Sequence, residues 1–275
     1  MTPATTVVRR ARWWLLCSLA FAFGLIALAP AAILEWASNN IGEANFRFAA
    51  DGGTIWRGSG RIALPGKPTA GASALPTAAQ LLIPVSWRFD PLALLRLRLG
   101  FFINATAPRL SGATHLGLGF NSIELRETAL NADAQFLSLT NSMAALFAPA
   151  GQIRLTQSAD ERLVITPATR KDDAWNVVGL MGITADQFAL GGAVNAAVGS
   201  HEIKLRGDGP TIQLSIPRSS GPLKLEGAGT LTLVSPRRVT FSGFATTTAD
   251  AAPALKTLGP LLPDGRQRIE LSANW

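Results

Sequence analysis

The sequence predicts a mainly β protein, in which a single N-terminal transmembrane helix is followed by an elongated, antiparallel β-rich domain with a few short helices. Three observations lead to this prediction. A long segment without charges opens the chain, an alternation of apolar and polar residues dominates from about residue 46 onward, and short clusters of Gly, Ser and Asp separate the alternating segments. The 275 residues are enough for one large domain or two small ones.

The uncharged segment covers residues 13–34, which read WWLLCSLAFAFGLIALAPAAIL. At about 1.5 Å per residue a helix of this length spans roughly 33 Å, which matches a hydrocarbon core of about 30 Å. Tryptophan side chains favour the headgroup region, and Trp13, Trp14 and Trp36 fall close to the two ends of the segment, whose last residue is Leu34. The segment is therefore predicted to anchor the chain in a phospholipid bilayer.

The charges on either side of this segment predict its orientation. Arg9, Arg10 and Arg12 precede it, whereas the first acidic residues of the chain follow it. Because flanking cations stay in the cytoplasm, residues 1–12 are predicted to form a cytoplasmic tail and residues 35–275 to lie on the far side of the membrane.

Two alternatives to an uncleaved anchor remain open. Ala29-Pro30-Ala31 offers a weak signal-peptidase site, but the apolar segment is longer than the core of about 7–15 residues that a signal peptide has. A buried helix of a soluble domain would leave the three flanking arginines unexplained. We therefore predict an anchor that is retained.

Alternation with a period of two predicts strands through the rest of the chain, because a strand with one buried face places apolar side chains at every second position. Glycine-rich or serine-rich clusters at 207–209, 219–221 and 227–229 are predicted to be the turns of antiparallel hairpins. The predicted strands are Gly53–Leu64, Leu81–Phe89, Arg96–Asn104, His115–Phe120, Ser122–Ala129, Gly151–Gln157, Arg162–Thr166, Glu202–Arg206, Thr211–Ile216, Pro222–Glu226, Thr230–Val234, Arg238–Phe244 and Arg268–Leu271.

Three short helices and one long loop are predicted between these strands. Pro91–Leu95 follows Asp90, which can cap a helix that begins with proline. Ala134–Phe147 and Ala251–Leu262 carry apolar residues at spacings of three and four. Residues 65–79 (PGKPTAGASALPTAA) are predicted to form a flexible loop within one domain.

The basic character of the chain does not indicate nucleic-acid binding. The formal net charge is +7, but three of the cations lie in the predicted cytoplasmic tail, and the others are scattered without forming a basic run. Nucleic-acid binding proteins concentrate such charges on one face. We therefore predict that nucleic acid is not a partner.

The residues that most enzymes and metal sites require are scarce. One Cys and two His are too few for a structural zinc site, and neither a G-x-S-x-G elbow nor a Walker loop occurs. His201-Glu202 begins a His-Glu-x-x-His motif, but Leu205 occupies the position of the second ligand. His115 has no Cys or carboxylate near it in sequence. We predict no catalytic, cofactor-binding or metal-binding residues and no enzymatic activity.

One set of short motifs, arranged in order along the chain, indicates a protein family more specifically than composition does. The block Gly53–Arg61 (GTIWRGSGR) follows the anchor closely and contains Gly53, Thr54, Trp56 and Gly58. With the later motifs it resembles the type II secretion system protein N family of the bacterial general secretion pathway. The later motifs are Trp87–Leu92, Gly151–Leu155 and a block with Gly221, Pro222, Leu223 and Gly227.

This resemblance implies a location and a function. The protein would be a single-span component of the cell inner membrane with its N-terminus in the cytoplasm and residues 35–275 in the periplasm. It would act as an accessory or structural part of the machinery that exports folded proteins across the outer membrane, and its partners would be other inner-membrane and periplasmic components of that machinery. Exposed strand edges would offer the surfaces for docking.

Two other classes of protein remain open. An anchored periplasmic protein that handles lipids or maintains the envelope, of the AsmA-like kind, would have a similar outline, and a continuous apolar groove with copurifying lipid would favour it. A periplasmic enzyme would instead gather His115 or His201 with carboxylates in one pocket.

Overall fold

The fold is that of a computed structural model, with fourteen strands and three helices in the described ranges after residue 31. The strands are β1 Arg47–Gly53, β2 Arg57–Leu64, β3 Leu81–Asp90, β4 Leu99–Ala107, β5 Leu110–Leu118, β6 Ile123–Asp133, β7 Pro149–Thr156, β8 Arg162–Thr166, β9 Asn176–Leu190, β10 Ala196–Gly209, β11 Thr211–Ser220, β12 Leu223–Thr232, β13 Arg238–Thr247 and β14 Gln267–Asn274. The helices are α1 Ala32–Ile41, the 3₁₀ helix Pro91–Arg96 and α2 Gln135–Thr140. The structure describes residues 14, 17–22, 24–25, 27–41, 47–64, 81–140, 148–158, 160–168, 174–191, 196–235, 237–248 and 259–274.

All the strands belong to one antiparallel sheet in which sequence neighbours are also spatial neighbours. The one departure is that β7 and β8 both lie between β6 and β9. They run in the same direction, one after the other, and act as a single strand that is interrupted at residues 157–161. The prediction of a mainly β, antiparallel fold is therefore confirmed.

The strand register separates an apolar face from a polar face. Residues that are paired across neighbouring strands point to the same side of a sheet. The set that includes Trp87 is almost entirely apolar and extends from the first strand to the last, whereas the opposite side carries most of the charged residues of the strands. Members of the apolar face are Phe48, Ile62, Ile83, Val85, Ile103, Leu116, Leu125, Leu155, Ile183, Ile203, Leu214, Leu225, Phe241 and Ile269.

The most deeply buried side chains form two separate clusters on this face. One lies in the first half of the sheet and contains Ile83, Val85, Ala105 and Ala107. The other lies in the second half and contains Ala196, Val198, Leu223, Ala245 and Ile269. Most of the remaining apolar face is only half-buried, and no large side chain in the described ranges is fully buried.

The helices follow the predictions in part. Asp90 caps the 3₁₀ helix through a hydrogen bond from Leu92 N to its Oδ1 (3.0 Å), and proline is the first helical residue, as predicted. Helix α2 covers the beginning of the predicted segment 134–147, whose residues 141–147 lie outside the described ranges. Of the predicted helix 251–262, only residues 259–262 are described, and they are not helical, because Leu261 bridges to Gln267. The predicted loop 65–79 also lies outside the described ranges.

Several predictions about the strands are wrong. The predicted strand Gly53–Leu64 includes the β1–β2 turn, so only Arg57–Leu64 is β2, and β1 was not predicted. Residues 207–209 are the end of β10, and the turn follows them. Residues 227–229 are not a turn but the middle of β12, because their glycines pack against the backbone of β13 instead of reversing the chain. Strand β9 was not predicted at all, although it is the longest strand described. Its sequence, NVVGLMGITADQFAL, places glycine, threonine and alanine on both faces of the strand. The alternation of apolar and polar residues that indicates a strand is therefore weak here.

The N-terminal segment is described only in part. Arg9, Arg10, Arg12 and Trp13 lie outside the described residues, whereas those described between 14 and 27 are helical. Within the described ranges, no helix combines the length and the apolar character that a membrane crossing requires. The helical conformation is interrupted at residues 28–31, since Pro30 lacks the N–H that would continue it. Leu34 and Trp36 consequently belong to the next helix, α1.

The chain enters the sheet where residues 29–31 meet the turn between β1 and β2. Pro30 forms an antiparallel bridge with Thr54, Ile55 N donates to Ala29 O (3.0 Å), and Ala31 N donates to Gly53 O (3.1 Å). We call this end of the sheet the proximal end and the opposite end the distal end. The strand pairing places the β3–β4, β5–β6, β8–β9, β10–β11 and β12–β13 connections at the proximal end.

The two edges of the sheet differ in how far other parts of the chain cover them. Helix α1 packs along the first strand, and the Ala50 N–H donates to Glu35 Oε2 (3.0 Å), so the β1 edge is partly covered. The other edge strand, β14, pairs with β13, and at its start Leu261 bridges to Gln267 and Arg268 N donates to Pro260 O (3.1 Å). Its residues from Glu270 to Asn274 are exposed, and no further pairing of them occurs within the described ranges. An uncovered edge strand is a template for pairing with another chain. The described part of the fold therefore leaves one edge available.

Candidate functional site

The predicted motif residues of the first block build the turn that receives the N-terminal segment. Gly53 has a φ of +98°, which a side chain would strain, and Thr54 Oγ1 accepts hydrogen bonds from the N–H groups of Trp56 and Arg57 (3.3 Å each). The Trp56 ring is half-buried and packs edge-on against Phe89 (4.8 Å between centroids). These residues act structurally, because they hold the β1–β2 turn in its shape.

The same turn accommodates the most buried tryptophan of the sheet. Trp87 is 8% exposed, and its Nε1–H is shared between Thr54 O (3.2 Å) and Ile55 O (3.1 Å). A Cβ at Gly58 would lie 2.5 Å from the Trp87 ring. Gly58 therefore leaves the space that the indole fills, which accounts for a glycine at this position.

The second block of predicted motif residues belongs to the β11–β12 hairpin at the distal end. Gly221 has a φ of +111° and lies so close to Gly199 that a Cβ would approach its Cα to 2.7 Å. Pro222 O accepts a hydrogen bond from Thr248 N (2.9 Å), and Leu223 is a member of the second buried cluster. At Gly227 a Cβ would lie 2.7 Å from Ser242 O. The structure does not bring the two blocks together, and both serve the packing of the sheet.

A cluster of charged residues on the polar face surrounds a cavity of about 420 Å³. Glu124 is only 2% exposed and forms ion pairs with both Arg98 and Arg126. Burial, followed by the neighbouring guanidinium groups of Arg126, Arg162 and Arg96, lowers the pKa of Arg98. A buried carboxylate held between two arginines joins β6 to the connection that precedes β4.

A histidine–aspartate pair lines the same cavity, together with Glu124 and Glu127, which is the grouping of His115 with carboxylates that the enzyme alternative predicts; the particular partner, Asp90, was not predicted. His115 Nε2 lies 3.0 Å from Asp90 Oδ2, and the imidazole packs against Phe102 (4.7 Å between centroids). The two residues are 25 positions apart, and only the pairing of β3, β4 and β5 brings them together. The described lining of the cavity contains no Ser, Thr, Cys or Lys that could act as a nucleophile. The other oxygen of Asp90 caps the 3₁₀ helix, so the pair also ties this helix to β5.

His201 lies on strand β10 and is buried. Its Nδ1 is 2.8 Å from Ser219 Oγ, and its Nε2 has no hydrogen-bond partner among the described residues. Leu205 belongs to the same strand, so the segment is not the helix of a metalloprotease. No group of three or more potential metal ligands occurs within the described ranges. Burial lowers the pKa of His201, because the low-dielectric surroundings disfavour the imidazolium.

This pKa shift predicts a dependence of stability on pH. The folded state keeps His201 neutral, whereas the unfolded chain binds a proton near its ordinary pKa of about 6.5, so stability falls as the pH falls through that range. Thermal unfolding of the full-length protein between about pH 8 and pH 5.5 is expected to show this loss. His201→Gln, which can still bond to Ser219, is expected to show a smaller loss. A variant profile as steep as that of the wild type would contradict the assignment.

The described features are those of an open antiparallel sheet with a continuous apolar face, a partly uncovered edge strand and a charged cavity on its polar face. The family model of type II secretion system (T2SS), protein N, matches residues 47–270. The chain belongs to this family. Neither a curated protein nor a solved structure matches it. The resemblance carried by the two motif blocks is thus confirmed, and the chain takes part in type II secretion.

Proposed function

We propose that this protein is an accessory, structural component of the type II secretion machinery that is held in the inner membrane by the uncharged segment 13–34, up to the point where residues 29–31 meet the sheet. In this proposal residues 1–12 lie in the cytoplasm and the sheet lies in the periplasm, where the machinery collects folded proteins for export across the outer membrane. The observation that carries the proposal is the family match over residues 47–270. The uncharged segment 13–34 and its three flanking arginines support the location.

The open β14 edge is the surface that we expect another component of the machinery to contact. Residues 270–274, beyond the part of β14 that residues 260–262 cover, expose backbone N–H and C=O groups along one side, and an extended segment of a neighbour can pair with them by strand addition. Leu271 is exposed beside Phe241 on the apolar face, so a neighbour would also find an apolar contact there. The covered β1 edge does not offer the same opportunity.

Crosslinking in cells tests this assignment. A photoreactive residue at Glu270 or Ser272 is expected to link the protein to an inner-membrane subunit of the secretion machinery, because both side chains are exposed on the edge strand. The same residue at Gln213, which is exposed on a strand inside the sheet, is the matched control and is expected to give weaker linkage. Deletion of the protein is expected to leave exoproteins in the periplasm. Unimpaired export together with equal labelling at all three positions would contradict the proposal.

The continuous apolar face is the one observation that favours the second candidate, a protein that handles lipids. Two buried clusters occupy parts of this face, and most of the apolar side chains between them remain half-buried. Ordinary packing of a β-sheet accounts for the same pattern. Phospholipid that copurifies with the protein in stoichiometric amount is the observation that would favour the second candidate over the first.

A further inference from the structure

The connections at the proximal end carry large apolar side chains in full contact with solvent. In the 3₁₀ helix and the residue after it, Leu95 is 84% exposed and Leu97 is 91% exposed, while Leu92 and Leu94 are exposed as well. Phe120, at the tip of the β5–β6 turn, is fully exposed. A contiguous exposure of large apolar groups marks an interaction site on a soluble protein surface.

Leu97, one of these exposed residues, has an energetically unfavourable backbone conformation. Leu97 has a φ of 54° and a ψ of 41°, which is the left-handed conformation that glycine adopts most readily. Hydrogen bonds from Leu97 N to Leu94 O (2.9 Å) and from Arg98 N to Ala93 O (3.2 Å) hold the turn in place. Backbone strain that directs an apolar side chain into solvent is expected at sites of function rather than at ordinary turns.

The exposed apolar side chains continue across the sheet at the same end. Trp175 precedes β9 and Val234 lies between β12 and β13, and both side chains are exposed. The register of the strands aligns these connections with the 3₁₀ helix, although they are far apart in sequence. The apolar side chains thus form a row along one end of the sheet.

Arginines accompany this row. Arg57, Arg96 and Arg237 are exposed at the proximal end and form no ion pair within the described part of the chain. At the distal end Asp264 and Arg266 neutralise each other (2.7 Å), whereas other cations are exposed there without an ion pair among the described residues, namely Arg47, Arg109 and Lys224. The two ends therefore differ in their exposed apolar side chains and not in their cations. Exposed apolar side chains with interspersed cations are typical of a surface that binds anionic phospholipids.

The N-terminal segment reaches the sheet at this same end. Pro30 bridges to Thr54, and Trp56 O accepts a hydrogen bond from Phe89 N, directly before Asp90 and the 3₁₀ helix. The end of the segment 13–34 and the exposed leucines are therefore connected through two neighbouring turns.

We propose that the proximal end of the sheet rests on the membrane surface, with Leu95, Leu97 and Phe120 in the headgroup region and Arg57, Arg96 and Arg237 bound to the phosphates of anionic phospholipids. This inference rests on the proposed anchor, since the anchor brings the proximal end to the bilayer. The sheet then stands on the membrane, and its β14 edge extends away from it.

Fluorescence quenching tests this proposal on the full-length protein in vesicles of phosphatidylethanolamine and phosphatidylglycerol. A polarity-sensitive dye is attached to a single cysteine at Leu95 or Phe120 in a Cys17→Ser background, because Cys17 is an exposed cysteine. Leu261→Cys, at the distal end and 71% exposed, is the matched control. Lipids with a quencher near the headgroup are expected to quench the dye at 95 and 120 about twofold more than at 261. Replacing phosphatidylglycerol by phosphatidylcholine is expected to reduce this difference.

The outcomes separate this proposal from the anchor. Extraction of the same vesicles with alkaline carbonate reports on the anchor alone. If the protein resists extraction and the three positions are quenched equally, the membrane contact of the proximal end is overturned while the anchor stands. If the protein is extracted, the anchor is overturned, and strong quenching at 95 and 120 before extraction would still support the surface contact. Because all three replaced side chains are exposed, the variants are expected to fold.

Discussion

Trp87→Ala is expected to lower the free energy of unfolding by about 3–5 kcal/mol, the range observed when large buried aromatic side chains are truncated. The indole is almost completely buried, its ring contacts Phe48 edge-on (5.6 Å between centroids), and its Nε1–H serves two carbonyl groups of the β1–β2 turn. The substitution removes the packing and leaves both carbonyls without this donor. Since the total stability of a domain is about 5–15 kcal/mol, this variant is expected to unfold at a much lower temperature.

The measurement is thermal unfolding of the full-length protein in detergent, followed by far-UV circular dichroism so that the loss of a fluorescent tryptophan does not interfere. Trp175→Ala removes the same side chain from an exposed position and is expected to change the stability little. Trp87→Phe keeps much of the packing but loses the donor, and is expected to fall between the two. Equal stability of the Trp87→Ala and Trp175→Ala variants would show that the turn does not depend on the buried indole.

Glu124→Ala is expected to cost about 3 kcal/mol, because it leaves two arginines without the buried carboxylate that they share. Arg98 and Arg126 are each about a quarter exposed at the side chain, so they can regain part of their hydration, and the effect is expected at the lower end of the range for buried pairs. The loss should appear first in β6 and in the connection before β4, since Glu124 joins these elements.

Hydrogen exchange of the backbone amides, measured together with thermal unfolding, checks this prediction. Glu127→Gln is the matched control, because Glu127 lines the same cavity but is exposed and forms no ion pair among the described residues. It is expected to leave both the melting temperature and the exchange rates unchanged. Local protection in Glu124→Ala that equals the wild type would mean that the two arginines do not depend on Glu124.

The general form of the fold could be predicted from the sequence because the alternation of apolar and polar residues within a strand shows which of its two faces is buried. Segments such as Thr211–Ile216 and Arg238–Phe244 alternate cleanly, and the structure contains them within β11 and β13. The proline start and aspartate cap of the 3₁₀ helix are likewise local signals. Local patterns also carried the family resemblance, since its motifs are short blocks of neighbouring residues.

The features that could not be predicted depend on residues that are distant in sequence. The glycines at 227 and 229 have the composition of a turn, and only the close backbone of β13 explains why they lie in a strand. The Asp90–His115 pair and the Arg98–Glu124–Arg126 cluster form because the strand register aligns separate segments. The row of exposed side chains at the proximal end has the same origin. No periodicity within one segment could have indicated any of these groupings.

The nearest-neighbour order of the strands has a consequence for biogenesis. A polypeptide emerges from the ribosome progressively, beginning with its N-terminal part, and each new strand of this sheet pairs with a strand that has just emerged. Only short loop closures are then needed at each step, which is the arrangement that favours rapid folding. The sheet can therefore form strand by strand during synthesis, before the C-terminal strands have been made.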